Sequence, residues 1–168
     1  MAMQLFGNST RISQDAIFDG ARNAVWPARM QKLADGPVSQ MGRGAEVWLD
    51  GGHNPHAARA IADLLCEMPG PTVLVSAMMG SKDSAGYFAE MSRASSHVFT
   101  IVNVARHAGA TPEDLALSAR TAGFEANACA SLEEAMARAS ALAPARILIC
   151  GSLYLSGEIL AANNEIPT

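Results

Sequence analysis

The chain has 168 residues, 49% hydrophobic and 17% charged, which is enough for one domain with a packed core and too apolar for an intrinsically disordered chain. Its net charge of -4 excludes a general nucleic-acid binder, which needs a cationic surface to neutralise phosphates. No apolar run approaches the roughly 18–20 residues that cross a bilayer, and the start, MAMQLFGNSTRISQ, lacks the basic-then-apolar pattern of a secretory signal, so no membrane contact and a cytoplasmic setting are expected.

The first dozen residues, 1–12, carry little pattern and read as a tail or linker remnant. Ser13 reads as a helix cap with Asp15 in the first turn, and Ile17, Phe18, Ala21 and Val25 follow at helical spacing until Pro27 stops the run. ARMQKL (28–33) alternates weakly and suits an edge strand. AEVWLD (45–50) is an apolar strand ending in a carboxylate. Over 54–68 a helix is expected, with Ala57, Ala58, Ile61, Leu64, Leu65 and Met68 on its apolar face and His56, Arg59, Asp63 and Glu67 opposite. TVLVSAM (72–78) is a strand, 84–91 a helix and HVFTIV (97–102) a strand. Thr111-Pro112-Glu113-Asp114 opens a helix that closes at Gly123. FEANAC (124–129) is a short strand, and Ser131 with Glu134 forms a capping box for the next helix. RILIC (146–150) is the last strand, followed by a helix over 152–162.

Strands alternating with helices imply βαβ units and a mostly parallel sheet. The expected architecture is an open, doubly wound α/β domain of five such strands plus the early edge strand. Ligands of such sheets bind beyond the carboxyl ends of the strands, which directs attention to the residues after Leu49, Met78, Val102 and Cys150. The cysteines, Cys66, Cys129 and Cys150, are far apart with no CxxC pair, so they offer neither a disulfide framework nor a zinc signature. Each reads as a small buried hydrophobe in a reducing compartment.

After the first main strand, Asp50-Gly51-Gly52-His53-Asn54-Pro55 gathers a carboxylate, permissive glycines and an imidazole ahead of a helix N-terminus, a combination suited to a ligand anion. A plain βα turn would use the same residues otherwise: Asn54 as cap, Asp50 as loop support, His53 toward water. After the second strand, Lys82 in Met79-Gly80-Ser81-Lys82-Asp83 suits a phosphate or carboxylate, or else a solvated turn. After the last strand, Gly151-Ser152 places a small hydroxyl at the sheet's mouth, as ligand contact or helix cap. His97 and His107 read as ordinary edge or loop residues. GxxxxGK[ST], GxGxxG and GxSxG are absent, so neither a Walker loop, a dinucleotide fingerprint nor a nucleophile elbow is present.

WPAR (26–29), LDGGHNPHAA (49–58), SKD (81–83) and LICGSLYLSGE (148–158) match, in order and spacing, the C-terminal domain of folylpolyglutamate synthase/dihydrofolate synthase, so the chain from Ser13 onward resembles this branch of the Mur ligase superfamily. Three features depart from the family pattern: Gly52 stands where an alanine is usual, Ser81 where an acid is frequent, and NVARHAGATPED replaces the typical loop. The resemblance implies a Rossmann-like sheet of six strands, five parallel, with ARMQKL as the antiparallel edge. It implies a reaction in which ATP phosphorylates the carboxylate of dihydropteroate or folate, the amine of L-glutamate attacks the acyl phosphate, and phosphate leaves as the amide forms.

By the same resemblance Arg29 and Asp50 contact ATP, His53 and Ser152 line the incoming glutamate, and Lys82 is an anion contact on that rim. No residue here is implied as a catalytic group or metal ligand. Mg2+ and the phosphate loop belong to an N-terminal ATPase domain expected to precede residue 1, without which this domain is expected to be inactive. A monomer is expected. The alternative is a stand-alone binding or regulatory module that kept the fold without catalysis.

Overall fold

Side chains along the buried strands alternate between two helical layers, as the two-residue period of a strand requires. In the computed structural model of the chain, Ile147 and Ile149 pack with Val47, Val75, Met136 and Ile159 on one side. Leu148 and Cys150 pack with Ile61, Leu74, Phe88 and Leu115 on the other. The structure describes residues 26–102 and 109–165, together with 13, 15, 16, 18 and 19. The tail over 1–12, most of the helix expected over 13–25, and His107 lie outside the described residues. Ser13 does cap as expected, its Oγ accepting from the Ala16 amide at 3.1 Å.

The described elements are β1 (Gln31–Lys32), α1 (Pro37–Gln40), β2 (Glu46–Asp50), α2 (Pro55–Glu67), β3 (Thr72–Ser76), α3 (Ser84–Met91), β4 (Ser95–Thr100), α4 (Pro112–Thr121), β5 (Glu125–Ala128), α5 (Leu132–Ala141), β6 (Arg146–Cys150) and α6 (Leu153–Ala162). They form a six-stranded sheet in the order β1-β2-β6-β3-β4-β5. β1 runs antiparallel to β2 and every other pair is parallel. α2, α3 and α4 cover one face; α1, α5 and α6 cover the other. β3 and β6 are buried at every residue, which explains why TVLVS is continuously apolar or small and why RILIC is apolar after Arg146, whose guanidinium donates to the Pro69 and Gly70 carbonyls and the Thr72 hydroxyl.

The last strand fills the gap between β2 and β3. Its register places Asp50, Cys150 and Ser76 in one row at the carboxyl ends of three neighbouring strands. The chain leaves β6 through Gly151 at φ +98°, where a Cβ would sit 2.6 Å from the Ala77 carbonyl oxygen, so only glycine fits without strain.

Several expectations change. β1 is much shorter than ARMQKL because Ala28 and Met30 adopt positive φ, 55° and 39°, and bend the chain out of a strand. β4 begins and ends earlier than 97–102. α1 was absent from the sequence reading because part of its cap is remote: Asn163 Oδ1, just past α6, accepts from both the Val38 and Ser39 amides at 3.0 Å. Only half of the capping box at α5 has the expected form, since Glu134 N donates to Ser131 Oγ while the Glu134 carboxylate accepts from Ala130 N. Cys66 is exposed rather than buried. It lies three residues after Asp63 on α2, beside the polar stripe, and its thiol donates to the Arg93 carbonyl.

Candidate functional site

Arg29, Asp50, His53, Lys82 and Ser152 all lie at the carboxyl edge of the sheet or line the cavities there. A cavity of about 370 Å³ is lined by Arg29, Asp50, His53 and Asn54 on its polar side and by Ala57, Ala60, Ile61 and Leu64 of α2 on its apolar side. A smaller one, about 110 Å³, is lined by His53, Met79, Lys82, Gly151, Ser152 and Tyr154. His53 borders both. The loops after β2, β3 and β6 meet here, where the sheet's strand order reverses, which is where open α/β sheets hold ligands.

Asp50 is only 4% exposed and supports its loop, as the plain βα turn would have it. Its Oδ2 accepts from Met30 N at 2.8 Å and its Oδ1 from Gly52 N at 2.6 Å. The carboxylate thereby ties the turn carrying Arg29 to the glycine loop. A second tie runs from Gly51 N to the Ala28 carbonyl, 2.9 Å. The Arg29 guanidinium donates to the same carbonyl at 3.0 Å. It lies against Gly51, where a Cβ would come 3.0 Å from its Nη1 and 2.3 Å from Leu153 Cδ2.

His53 is half-buried, and its Nδ1 lies 3.0 Å from the Gly51 carbonyl. A carbonyl only accepts, so Nδ1 carries the proton and Nε2 of the neutral ring is an acceptor for a ligand. Asn54 caps α2, its Oδ1 accepting from Ala57 N at 2.9 Å, with Pro55 at the first helical position. Ser152 is buried and caps α6: its Oγ accepts from Leu155 N, while its carbonyl accepts from the Ser156 hydroxyl. Two helix N-termini thus border the cavities, giving them a partial positive character. Lys82 is exposed on the rim, held by a turn from its own amide to the Met79 carbonyl.

Beneath the loops, Tyr87, Ser76 and Cys150 form a buried polar seam. Burial pushes the Cys150 thiol up to about 12 and raises Tyr87 well above the ordinary tyrosine range. Cys150, although at the mouth of the sheet, is therefore a protonated thiol and no nucleophile. Among the described residues no group of three or more His, Cys, Asp or Glu is placed to hold a metal ion. No described helix is long and apolar enough to cross a membrane.

Sequence reasoning missed the apolar wall and the Met30 contact. The wall was visible as a stripe: Ala57, Ile61 and Leu64 are spaced one helical turn apart, and Leu64 is 42% exposed although it reads as core. Nothing in the sequence marks the left-handed turn at Ala28–Met30, because neither residue type favours it.

A model of the Mur ligase glutamate ligase domain matches residues 28–153. The chain is 28% identical to the dihydrofolate synthase/folylpolyglutamate synthase of Escherichia coli (strain K12) over 158 residues, 93% of this chain and 35% of that protein. It is 31% identical over 156 residues to a probable bifunctional folylpolyglutamate synthase/dihydropteroate synthase of Haloferax volcanii, covering 88% of this chain and 17% of the relative. Among solved structures, a bifunctional folylpolyglutamate synthase/dihydrofolate synthase with Mn, AMPPNP and L-glutamate bound superposes with a TM-score of 0.73 at 27% identity, covering 94% of this chain and 36% of that one. Mycobacterium tuberculosis folylpolyglutamate synthase, complexed with ADP and AMPPCP, matches in fold with a TM-score of 0.80 at 23% identity, covering 98% and 38%. The chain spans well under half the length of each of these proteins.

Proposed function

The chain belongs to the Mur ligase family through its glutamate ligase domain, and on that premise we propose that it is the C-terminal domain of an ATP-dependent ligase that joins L-glutamate to dihydropteroate or a folate. In the proposed reaction ATP phosphorylates the acceptor carboxylate, the glutamate amine attacks the acyl phosphate, and an amide forms as phosphate leaves. The observation that carries this reading is the pair of cavities joined at His53, one with an apolar wall and the other bordered by a helix N-terminus.

The larger cavity has the character a nucleoside needs. Ile61 and Leu64 offer an apolar surface for a base, Arg29 a cation for phosphate, and Asp50 a carboxylate within reach of ribose hydroxyls. The smaller has the character a glutamate needs: an acceptor at His53 Nε2 for its amine, and the N-terminus of α6 with Ser152 and Lys82 for a carboxylate. These residues bind and orient. Phosphate activation and Mg2+ are assigned to an N-terminal ATPase domain of the same ligase, with the active site in the cleft between domains, so the isolated chain is inactive. The proposed protein is monomeric and cytoplasmic.

Titrating ADP and L-glutamate separately into the 168-residue chain, followed by backbone amide shifts, tests the reading. ADP is expected to shift Gly51, Gly52 and Ala60, whereas glutamate shifts Lys82 and Tyr154. Shifts of both ligands at one cavity would overturn the division of roles. Binding of neither, with the fold intact, would favour a stand-alone module for other ligands.

A further inference from the structure

We propose that Gln31 and Glu165 are positioning residues for Arg29: the carboxylate beyond α6 orients the Gln31 amide, and that amide holds the turn that carries the guanidinium to the site. The proposal rests on the reading of Arg29 as a nucleotide contact.

The turn needs holding. Ala28 and Met30 flank Arg29 with φ of 55° and 39°, a region that non-glycine residues occupy only when the surroundings impose it. Two of its tethers belong to the site loop itself: Gly51 N to the Ala28 carbonyl, and Met30 N to Asp50 Oδ2. The third does not. Ala28 N donates to Gln31 Oε1 at 2.9 Å, and Gln31 Nε2 donates to Glu165 Oε2 at 3.0 Å.

An amide side chain presents either its oxygen or its nitrogen in a given direction, and only its neighbours decide which. Glu165 accepts and cannot donate, so it draws the Gln31 nitrogen and leaves the oxygen for Ala28. Glu165 is itself fixed, its Oε1 accepting from Ala34 N at 2.8 Å and from the Asn163 side chain. Asn163 in turn donates to the Ala34 carbonyl and accepts from α1. The far end of α6 therefore sets the turn at Arg29, while the near end of the same helix presents Ser152 to the smaller cavity. One helix aligns both halves of the site.

The test compares the 168-residue chain with Gln31→Met, which keeps the side-chain length and removes both polar groups, with Glu165→Gln, and with the double variant. Three readouts are taken: amide hydrogen exchange without ligand, the Arg29 Nε–H resonance, and ADP affinity. Gln31→Met is expected to speed Ala28 exchange at least about tenfold while leaving Gly52, which Asp50 holds, within about twofold. It should move the Arg29 resonance and raise the ADP dissociation constant about three- to tenfold. Glu165→Gln should act in the same direction, and the double variant no more than Gln31→Met alone, because both act through one bond.

Unchanged Ala28 exchange and an unmoved Arg29 resonance in both single variants would overturn the proposal. So would additive effects on ADP affinity, or faster exchange spread evenly over β1 and β2, which would mark a merely structural clasp. If the unaltered chain binds no ADP, the nucleotide reading fails, while the exchange and resonance readouts still decide the positioning role.

Discussion

With one carboxylate oxygen on Met30 N and the other on Gly52 N, Asp50 is both brace and candidate ligand group. Removing it leaves one buried and one half-buried amide unpaired, so Asp50→Ala is expected to cost about 2–4 kcal/mol of stability, or roughly 5–15 °C in Tm for a domain of this size. Asp50→Asn keeps one acceptor and turns a donor toward the other amide, so its melting point should fall between the two. Its ADP affinity, measured below its Tm, should still fall about tenfold if Asp50 has the proposed role, in which a ribose hydroxyl loses a charged acceptor. An early melt with unchanged ADP affinity would reduce Asp50 to a brace. The sequence made the strand-end carboxylate legible but not its partner at Met30, which depends on a left-handed turn of ordinary residue types. Cys66 is the converse case: its helical position near Asp63 and Arg59 already indicated exposure, and its residue type misled. In the native chain iodoacetamide is therefore expected to label Cys66 and to spare Cys129 and Cys150, as mass spectrometry of digested protein would show. Labelling of Cys150, whose thiol burial holds at about 12, would contradict the packing beneath the site.

Elements were legible wherever local chemistry set them. Asn54, Thr111, Ser131 and Ser152 all cap where their types and spacing place them, and the alternating faces of TVLVS and RILIC follow from apolar runs between helices. Elements held by remote partners were not: α1 depends on Asn163, and β1 is cut short by tethers from Gly51 and Asp50. The join between β6 and α6 is a further point where geometry decides. Gly151→Ala would force a left-handed alanine, costing about 1–2 kcal/mol, and would press its Cβ toward the Ala77 carbonyl, so the measured loss in urea unfolding should exceed that figure. A loss below it would mean that the loop relaxes. Two acids, Glu46 in β2 and Glu133 in the first turn of α5, make the stability depend on pH. Glu46 is held below the ordinary carboxylate range first by the Lys32 ammonium and then by the Trp48 indole N–H, and Glu133 by its own backbone amide and the Ser131 hydroxyl. Lowered values mean stabilisation that is present above the unfolded pKa of 4.5 and lost as pH falls through the lower folded values. Melts taken from about pH 6 to about pH 3 should show this acid-side loss, less steep in Glu46→Gln. A steeper loss in that variant would have the sign of the coupling wrong.

At the scale of the whole molecule, the proposed reading makes this site one side of a cleft between two domains. Its cavities open at the carboxyl edge of the sheet, and the exposed apolar side chains of Leu64, Leu153 and Tyr154 line or border them. Such a rim around polar groups suits a surface that closes against another body. In the proposed reading these cavities hold a base, a ribose, a phosphate and an amino acid. Among the described residues none forms the acidic cluster that would hold a metal beside the terminal phosphates of ATP. On the proposed division of labour the isolated chain should bind ADP without releasing phosphate from ATP, with folate, glutamate and Mg2+ all present. Supplying a separately expressed ATPase domain of a folylpolyglutamate synthase should restore some phosphate release. The rate should rise with the concentration of either part, because the tether that supplies a high effective concentration is gone. Arg29→Ala should remove that restored activity while leaving the melting point nearly unchanged, since Arg29 is exposed and its only described protein bond is to the neighbouring Ala28 carbonyl. Magnesium-dependent phosphate release by the pure chain would place the catalytic groups within these 168 residues and overturn the division of labour between domains.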